Sequence, residues 1–170
     1  MLMVLICTIS GCGNKETNIC VIGYSGEVME YLDESDENYQ EICTLTRDYV
    51  YACANKVDVS EAKSWEKVNS LCADEIKTSE SEIQERIRKY GNYPKFNEYV
   101  ESFTVDKVCM NSDKTYGIAH VTFVVSNDKD GSKSEGEEKP YYLFLKIENG
   151  KWLICDETSI PSELLNYYSV

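Results

Sequence analysis

The segment Tyr142-Leu143-Phe144-Leu145-Lys146-Ile147-Glu148-Asn149-Gly150-Lys151-Trp152-Leu153-Ile154 decides the fold class of this chain. Its two arms are rich in aromatic and aliphatic residues, a composition that favours strands. Asn149-Gly150 lies between them and is typical of a type I′ turn, which needs two residues with positive φ. The segment therefore predicts a β-hairpin with strands over residues 141–148 and 152–157.

Two earlier segments, residues 102–110 and 116–126, have the same strand-like composition. The short polar link 111–113 joins them, and a long polar loop over 127–140 leads to the hairpin. Four strands joined in sequence order predict an antiparallel meander.

Three helices are expected before these strands. The first covers residues 40–55, where apolar side chains recur at spacings of three and four. They are Ile42, Leu45, Tyr49, Val50 and Cys53. Helices followed by an antiparallel meander predict an α+β domain, with the helices packed on one face of the sheet.

Capping residues mark the starts of the other two helices. Asp58 and Glu61 form a variant of the capping box and predict a helix over 58–73. Ser79 and Glu82 repeat this pattern, and Gly91 marks the end of the third helix. The tail over 162–168 is expected to add a last helical turn.

This arrangement is similar to the nuclear transport factor two-like superfamily, which includes ketosteroid isomerases and polyketide cyclases. The resemblance lies in the helices at 40–55 and 58–73 and in the hairpin that ends the sheet. It implies a curved four-stranded sheet that wraps around the helices as a cone, with room for a small ligand at the open end. It carries over no catalytic residue.

The N-terminus is an uncharged apolar run that ends at Ile9-Ser10-Gly11-Cys12. This ending resembles the lipobox of bacterial lipoproteins, which are cleaved before the cysteine and acylated on it. The run is too short to span a bilayer, which takes about 20 residues. The resemblance implies a signal peptide over 1–11, palmitate or a related acyl group on Cys12, and a membrane anchor at the outer cell surface. The alternative is a short buried strand or helix.

Composition divides the rest into a tether over 12–38 and one domain over 39–170. The chain has 170 residues, 42% of them hydrophobic, and a net charge of −13. Such a charge repels phosphate backbones, so nucleic-acid binding is not expected.

Eight cysteines occur in the chain, and six follow Cys12. Six cysteines outside the cytoplasm allow 15 disulfide pairings, and buried thiols are the equal alternative. Cys43 and Cys53 lie about 15 Å apart on one predicted helix, too far for a disulfide with each other.

Four residues are candidates for a small-molecule pocket: Tyr116, His120, Tyr141 and Asp156. His120 or Asp156 could act as a base and the tyrosines as hydrogen-bond donors. No catalytic set is assigned, and no cofactor or metal is expected. The loop from Ser126 to Glu137 imitates part of a calcium loop, but Ser126 replaces the first aspartate.

These observations favour a non-catalytic surface lipoprotein that binds a small molecule, a peptide or an envelope protein. A cone enzyme of the isomerase or cyclase type is the first alternative. A structural envelope assembly factor is the second.

Overall fold

The fold is taken from a computed structural model that describes residues 19–22, 28–54, 62–90, 97–129, 132–134 and 138–156. Within these residues the chain forms three α-helices and seven strands. In chain order they are β1 (Ile19–Ile22), β2 (Val28–Tyr31), α1 (Glu37–Ala54), α2 (Ala62–Asn69), α3 (Glu80–Tyr90), β3 (Asn97–Met110), β4 (Tyr116–Lys129), β5 (Ser132–Ser134), β6 (Lys139–Glu148) and β7 (Lys151–Cys155).

The strands form one antiparallel sheet in the order β1-β2-β3-β4-β6-β7, with β5 paired to β4. This confirms the α+β class and the antiparallel meander from β3 to β7. The predicted count of four strands is wrong, because β1, β2 and β5 also join the sheet. These three strands have only three or four residues each, too few to show a period of two.

The N-terminal strands also change the interpretation of residues 12–38. That range is expected to be a tether, whereas β1 and β2 pair with each other and β2 pairs with β3. Residues 1–18, with the predicted signal peptide and Cys12, lie outside the described residues.

The predicted hairpin is confirmed. Asn149 and Gly150 have φ values of 54° and 75°, as a type I′ turn requires. Glu148 pairs with Lys151 and Leu145 pairs with Ile154. Leu145 and Ile154 thereby enter the main core together.

Helix α1 packs on one face of the sheet and forms this core. The predicted helix over 40–55 is confirmed, with its start three residues earlier, at Glu37. Ile42 and Leu45 are buried against β3, β4, β6 and β7. Their sheet partners are Val108, Met110, Ala119, Val121, Leu145, Trp152 and Ile154. We call this side of the sheet the inner face and the opposite side the outer face.

The helix predicted over 58–73 is shorter in the structure, because its last residues bond to the sheet. After Asn69 the chain leaves the helix, and the Leu71 carbonyl accepts a hydrogen bond from the Ile154 amide at 2.9 Å. The Ala73 amide then donates to the Ile154 carbonyl at 2.7 Å. Asp58 and Glu61, the proposed cap of this helix, lie outside the described residues.

The capping box of α3 is confirmed. The Ser79 amide donates to Glu82 Oε2 at 3.0 Å, and the Glu82 amide donates to Ser79 Oγ at 3.3 Å. The Ser79 hydroxyl also donates to Glu82 Oε2, at 2.7 Å, and this bond and the one from the Ser79 amide lower the pKa of the Glu82 carboxyl. The predicted tail helix over 162–168 lies outside the described residues.

Strand β3 contains two bulges that keep its apolar side chains on the inner face. Val100 and Ser102 pair with the consecutive residues Val125 and Val124, so Glu101 is an extra residue. Val105 and Lys107 likewise pair with Val121 and His120. Asp106 is therefore a second extra residue.

The cysteines are in different chemical states. Cys43, Cys53, Cys72 and Cys155 are reduced thiols, which confirms that Cys43 and Cys53 do not bridge each other. Cys109 on β3 takes part in a disulfide. Within the described residues, no helix is both long and apolar enough to cross a membrane.

Candidate functional site

The four residues predicted to share a pocket do not converge. Tyr141 pairs with Val121 and lies on the inner face. His120 and Tyr116 point to the outer face, because side chains alternate along β4. Asp156 is exposed just after the end of β7. The expectation of one pocket with all four residues is therefore wrong.

A cavity of about 380 Å³ lies between the last turns of α1 and the inner face of β4 and β6. This volume falls within the range of about 300–1,000 Å³ typical of small-molecule sites. The lining is mostly apolar, and the cavity is partly open to solvent. It consists of Tyr49, Val50, Cys53, Ala54, Phe123, Val125, Tyr141 and Leu143.

Two stacked aromatic rings form one wall of the cavity. The ring centroids of Phe123 and Tyr141 are 4.7 Å apart, and the rings are inclined by 16°. Tyr141 is 43% exposed and marks the rim. The pair offers a ligand a large apolar contact surface that is ordered before binding.

Polar chemistry at the helix side of the cavity comes from Tyr49 and Cys53, one helical turn apart. The Tyr49 hydroxyl lies close to the Cys53 thiol. Burial raises the pKa of Tyr49, and the nearby Cys53 and Cys72 raise it further. Tyr49 is therefore a neutral hydrogen-bonding group at physiological pH.

A separate polar cluster lies on the outer face around His120. Its Nδ1 lies 3.4 Å from Asp106 Oδ2, and the Thr122 hydroxyl donates to the same oxygen at 2.6 Å. The imidazole also stacks on Tyr142, with ring centroids 4.9 Å apart. Asp106 reaches His120 because the second bulge of β3 places it there.

These two groups of residues have different chemical capacities. The described lining of the cavity carries no charged side chain, so it can hold an apolar ligand but offers no ionised acid or base. The His120–Asp106 pair could exchange protons, but it does not line the cavity. Among the described residues, no group of three or more His, Cys, Asp or Glu side chains could hold a metal ion.

Sequence reasoning identified Tyr141 and missed the rest of the cavity. The lining comes from the end of α1 and from two strands far along the chain, and no local pattern joins them. Asp106 was also missed, although a signal exists in the sequence. The inward residues Phe103, Val105, Val108 and Met110 have spacings of two, three and two, and the spacing of three marks the bulge.

Comparisons with known proteins give only remote structural similarity. No protein-family model matches the chain, and no curated protein matches its sequence. The intermembrane-space region of the chloroplast protein ARC6 superposes with a TM-score of 0.44 at 10% identity, covering 73% of this chain and 95% of that one. A calcium/calmodulin dependent protein kinase II association domain from Xanthomonas campestris gives 0.40 at 19% identity, covering 72% and 86%. Both TM-scores are below 0.5, so the fold class rests on the strand pairing of this chain itself.

Proposed function

We propose that this protein is a lipid-anchored extracytoplasmic lipoprotein that binds a small apolar ligand, without catalysis, in the cavity between α1 and the sheet. The observation that carries the proposal is the mostly apolar cavity of about 380 Å³, whose described lining has no charged group. We further propose that the domain has the nuclear transport factor two-like architecture, because the three helices precede the long strands β3, β4 and β6 of an antiparallel sheet whose inner face packs on α1.

Two features support a location outside the cytoplasm. The lipobox-like sequence Ile9-Ser10-Gly11-Cys12 supports acylation of Cys12. The disulfide at Cys109 supports an oxidising compartment, because structural disulfides are rare in the reducing cytoplasm. A net charge of −13 further favours a body that stands away from anionic lipid head groups.

Binding without catalysis is supported by the separation of the two polar groups. Acid–base catalysis needs a titratable side chain within hydrogen-bond reach of the reacting atoms. His120 is on the outer face, and Tyr49 keeps its proton because burial raises its pKa. Apolar contact is thus the main chemistry that the cavity offers.

The binding test uses the neutral dye N-phenyl-1-naphthylamine, whose fluorescence rises in apolar surroundings. Val125 lines the cavity, whereas the adjacent Val124 points to the other side of β4. We expect Val125→Phe to fill part of the cavity and raise the dye's Kd at least tenfold. The matched variant Val124→Phe should keep the native Kd within twofold.

Equal effects of the two substitutions, or native protein that does not bind the dye, would contradict cavity binding. Circular dichroism of each variant separates loss of the site from loss of the fold. Turnover of isomerase or cyclase substrates by purified native protein would contradict the non-catalytic part of the proposal.

Lipid anchoring is tested by expressing the full chain in a bacterium and analysing the membrane fraction by mass spectrometry. We expect an N-terminal peptide that begins at Cys12 and carries diacylglycerol. Cys12→Ser should abolish the modification and release the protein from the membrane. An unmodified native N-terminus would overturn this part of the proposal and leave the binding test unaffected.

A further inference from the structure

One reduced thiol lines the cavity, and a second lies in a buried cluster next to it. Cys53 on α1 is half-buried and is one of the residues that line the cavity. Cys72 follows α2 and is only 2% exposed. Cys72 forms a buried cluster with Ala52 and Val68, and Cys53 packs against this cluster. The cavity-lining thiol and the buried one therefore belong to the same packed group of side chains.

Tyr49 lies beside both sulfur atoms. It packs against the same cluster, and its hydroxyl is close to the Cys53 thiol. Cys72 also acts electrostatically on this hydroxyl.

The other described cysteines lack this combination. Cys43 lies beside Tyr39 and does not line the cavity. Cys155 lies on the outer face in a buried cluster with Met29, Ala73, Cys109 and Ile118, and burial raises the pKa of its thiol to about 12. Its cluster neighbour Cys109 is already in a disulfide.

We infer that Cys53, on the cavity wall, and Cys72, in the cluster that Cys53 packs against, form a thiol–disulfide exchange pair, which reduces a small organic disulfide and joins the two cysteines. Cys53 is the attacking residue because it faces the cavity. Cys72 is the resolving residue because it is buried in the cluster that Cys53 packs against. This activity is distinct from the proposed ligand binding and does not require it.

The reaction balances without any other reactant. The Cys53 thiol loses a proton to solvent, and its thiolate attacks one sulfur of the organic disulfide. The first thiolate leaves and takes up a proton. The Cys72 thiolate, formed by loss of its own proton, then attacks the Cys53 sulfur of the mixed disulfide. The second thiolate leaves and is protonated, so two cysteines are oxidised and one disulfide becomes two thiols.

The test treats the native full chain with excess bis(2-hydroxyethyl) disulfide and follows intact mass and peptide maps over time. We expect native protein to lose two hydrogens and to give a peptide linked through Cys53 and Cys72. Cys72→Ser should instead accumulate one stable hydroxyethylthio adduct on Cys53. Cys53→Ser should leave Cys72 unmodified because Cys72 is buried.

Cys43→Ser is the matched control, since it removes the other thiol of α1, and it should form the same linked peptide as the native chain. A lasting adduct on native Cys53, or a linkage between other cysteines, would overturn the inference. Peptide mapping of native protein is decisive by itself if a variant fails to fold. Dye binding by the reduced native protein is read separately, so the two proposals can fail independently.

Discussion

Gly150 and Gly117 constrain the fold for different physical reasons. Gly150 has a φ of 75° in the hairpin turn, and a β-carbon added there would meet no atom within 4 Å. Gly117 has ordinary backbone angles, but a β-carbon there would lie 3.3 Å from the Cys109 carbonyl oxygen. Gly150 is required by its backbone torsion angle, whereas Gly117 is required because there is little space for a side chain.

We expect Gly150→Ala to lower the free energy of unfolding by about 1 kcal/mol, because an L-residue is strained in the left-handed region. Gly150→Asn should lose less, since asparagine tolerates that region. Urea unfolding measures both variants. Equal losses for alanine and asparagine would indicate that the turn does not depend on torsion.

Three protonated groups, the half-buried Tyr39 and Tyr49 and the buried Cys155, make the protein sensitive to alkali. Burial raises the pKa of Tyr39 and of Cys155 to about 12, and it also raises the pKa of Tyr49. In the unfolded chain, cysteine and tyrosine ionise at about pH 8.5 and 10. Above these values the unfolded chain has released protons that the folded chain still holds, so stability must fall as pH rises.

We therefore expect the free energy of unfolding to decline between about pH 9 and 12. Cys155→Ala should show a shallower decline than native protein over the lower part of this range, since one of the protonated groups is gone. Urea unfolding at several pH values measures the slopes. A native stability that stays constant to pH 11 would show that these groups titrate as in the unfolded chain.

At the scale of elements, the segment 71–73 acts as a short extra strand along β7. It exchanges two backbone hydrogen bonds with Ile154, at 2.7 and 2.9 Å. This pairing satisfies backbone groups of β7, the strand at one edge of the sheet, which would otherwise expose unpaired amides and carbonyls. It also explains why α2 stops before this segment.

Ala73→Pro tests the contribution of this pairing to stability, because Ala73 has a φ of −67°, which proline can adopt. The substitution removes the amide that donates to Ile154, and we expect a loss of about 1–3 kcal/mol. Ala73→Val adds bulk at the same buried position but keeps the amide. The proline variant should lose more stability in urea and should also speed exchange of the Ile154 amide; equal behaviour of both would mean that bulk alone matters.

Elements with strong local signals could be predicted from the sequence, and those without could not. The hairpin, α1 and the α3 cap follow from a turn dipeptide, an apolar stripe and a capping box. Strands β1, β2 and β5 have only tertiary pairing to define them. The cavity depends on which face of the sheet each side chain of β4 and β6 occupies. The register between these two strands cannot be read from the sequence, so the sequence could not show that Tyr141 and His120 lie on opposite faces.

At the scale of the whole molecule, the sheet separates two chemistries. The inner face holds the core and the cavity, whereas the outer face holds the His120–Asp106 pair. The strong acidity of the chain makes a neutral ligand more compatible with the cavity than an anion.

This separation predicts that His120→Ala leaves the dye's Kd within twofold of the native value. Thermal unfolding should confirm that the variant is folded. A tenfold change in the Kd would mean that the two faces of the sheet are energetically coupled. It would then favour the alternative hypothesis of an enzyme of the isomerase or cyclase type.

The bulges of β3 have a consequence for sequence evolution. Glu101 and Asp106 have no pairing partner on β4, so deletion of either residue would leave every inward-pointing side chain of β3 on the inner face. Alignments of homologous chains should therefore tolerate single-residue gaps at these two positions, in the middle of a long strand. Insertions and deletions are normally confined to loops, so a relative that lacks Asp106 would keep the same core and lose the carboxylate beside His120.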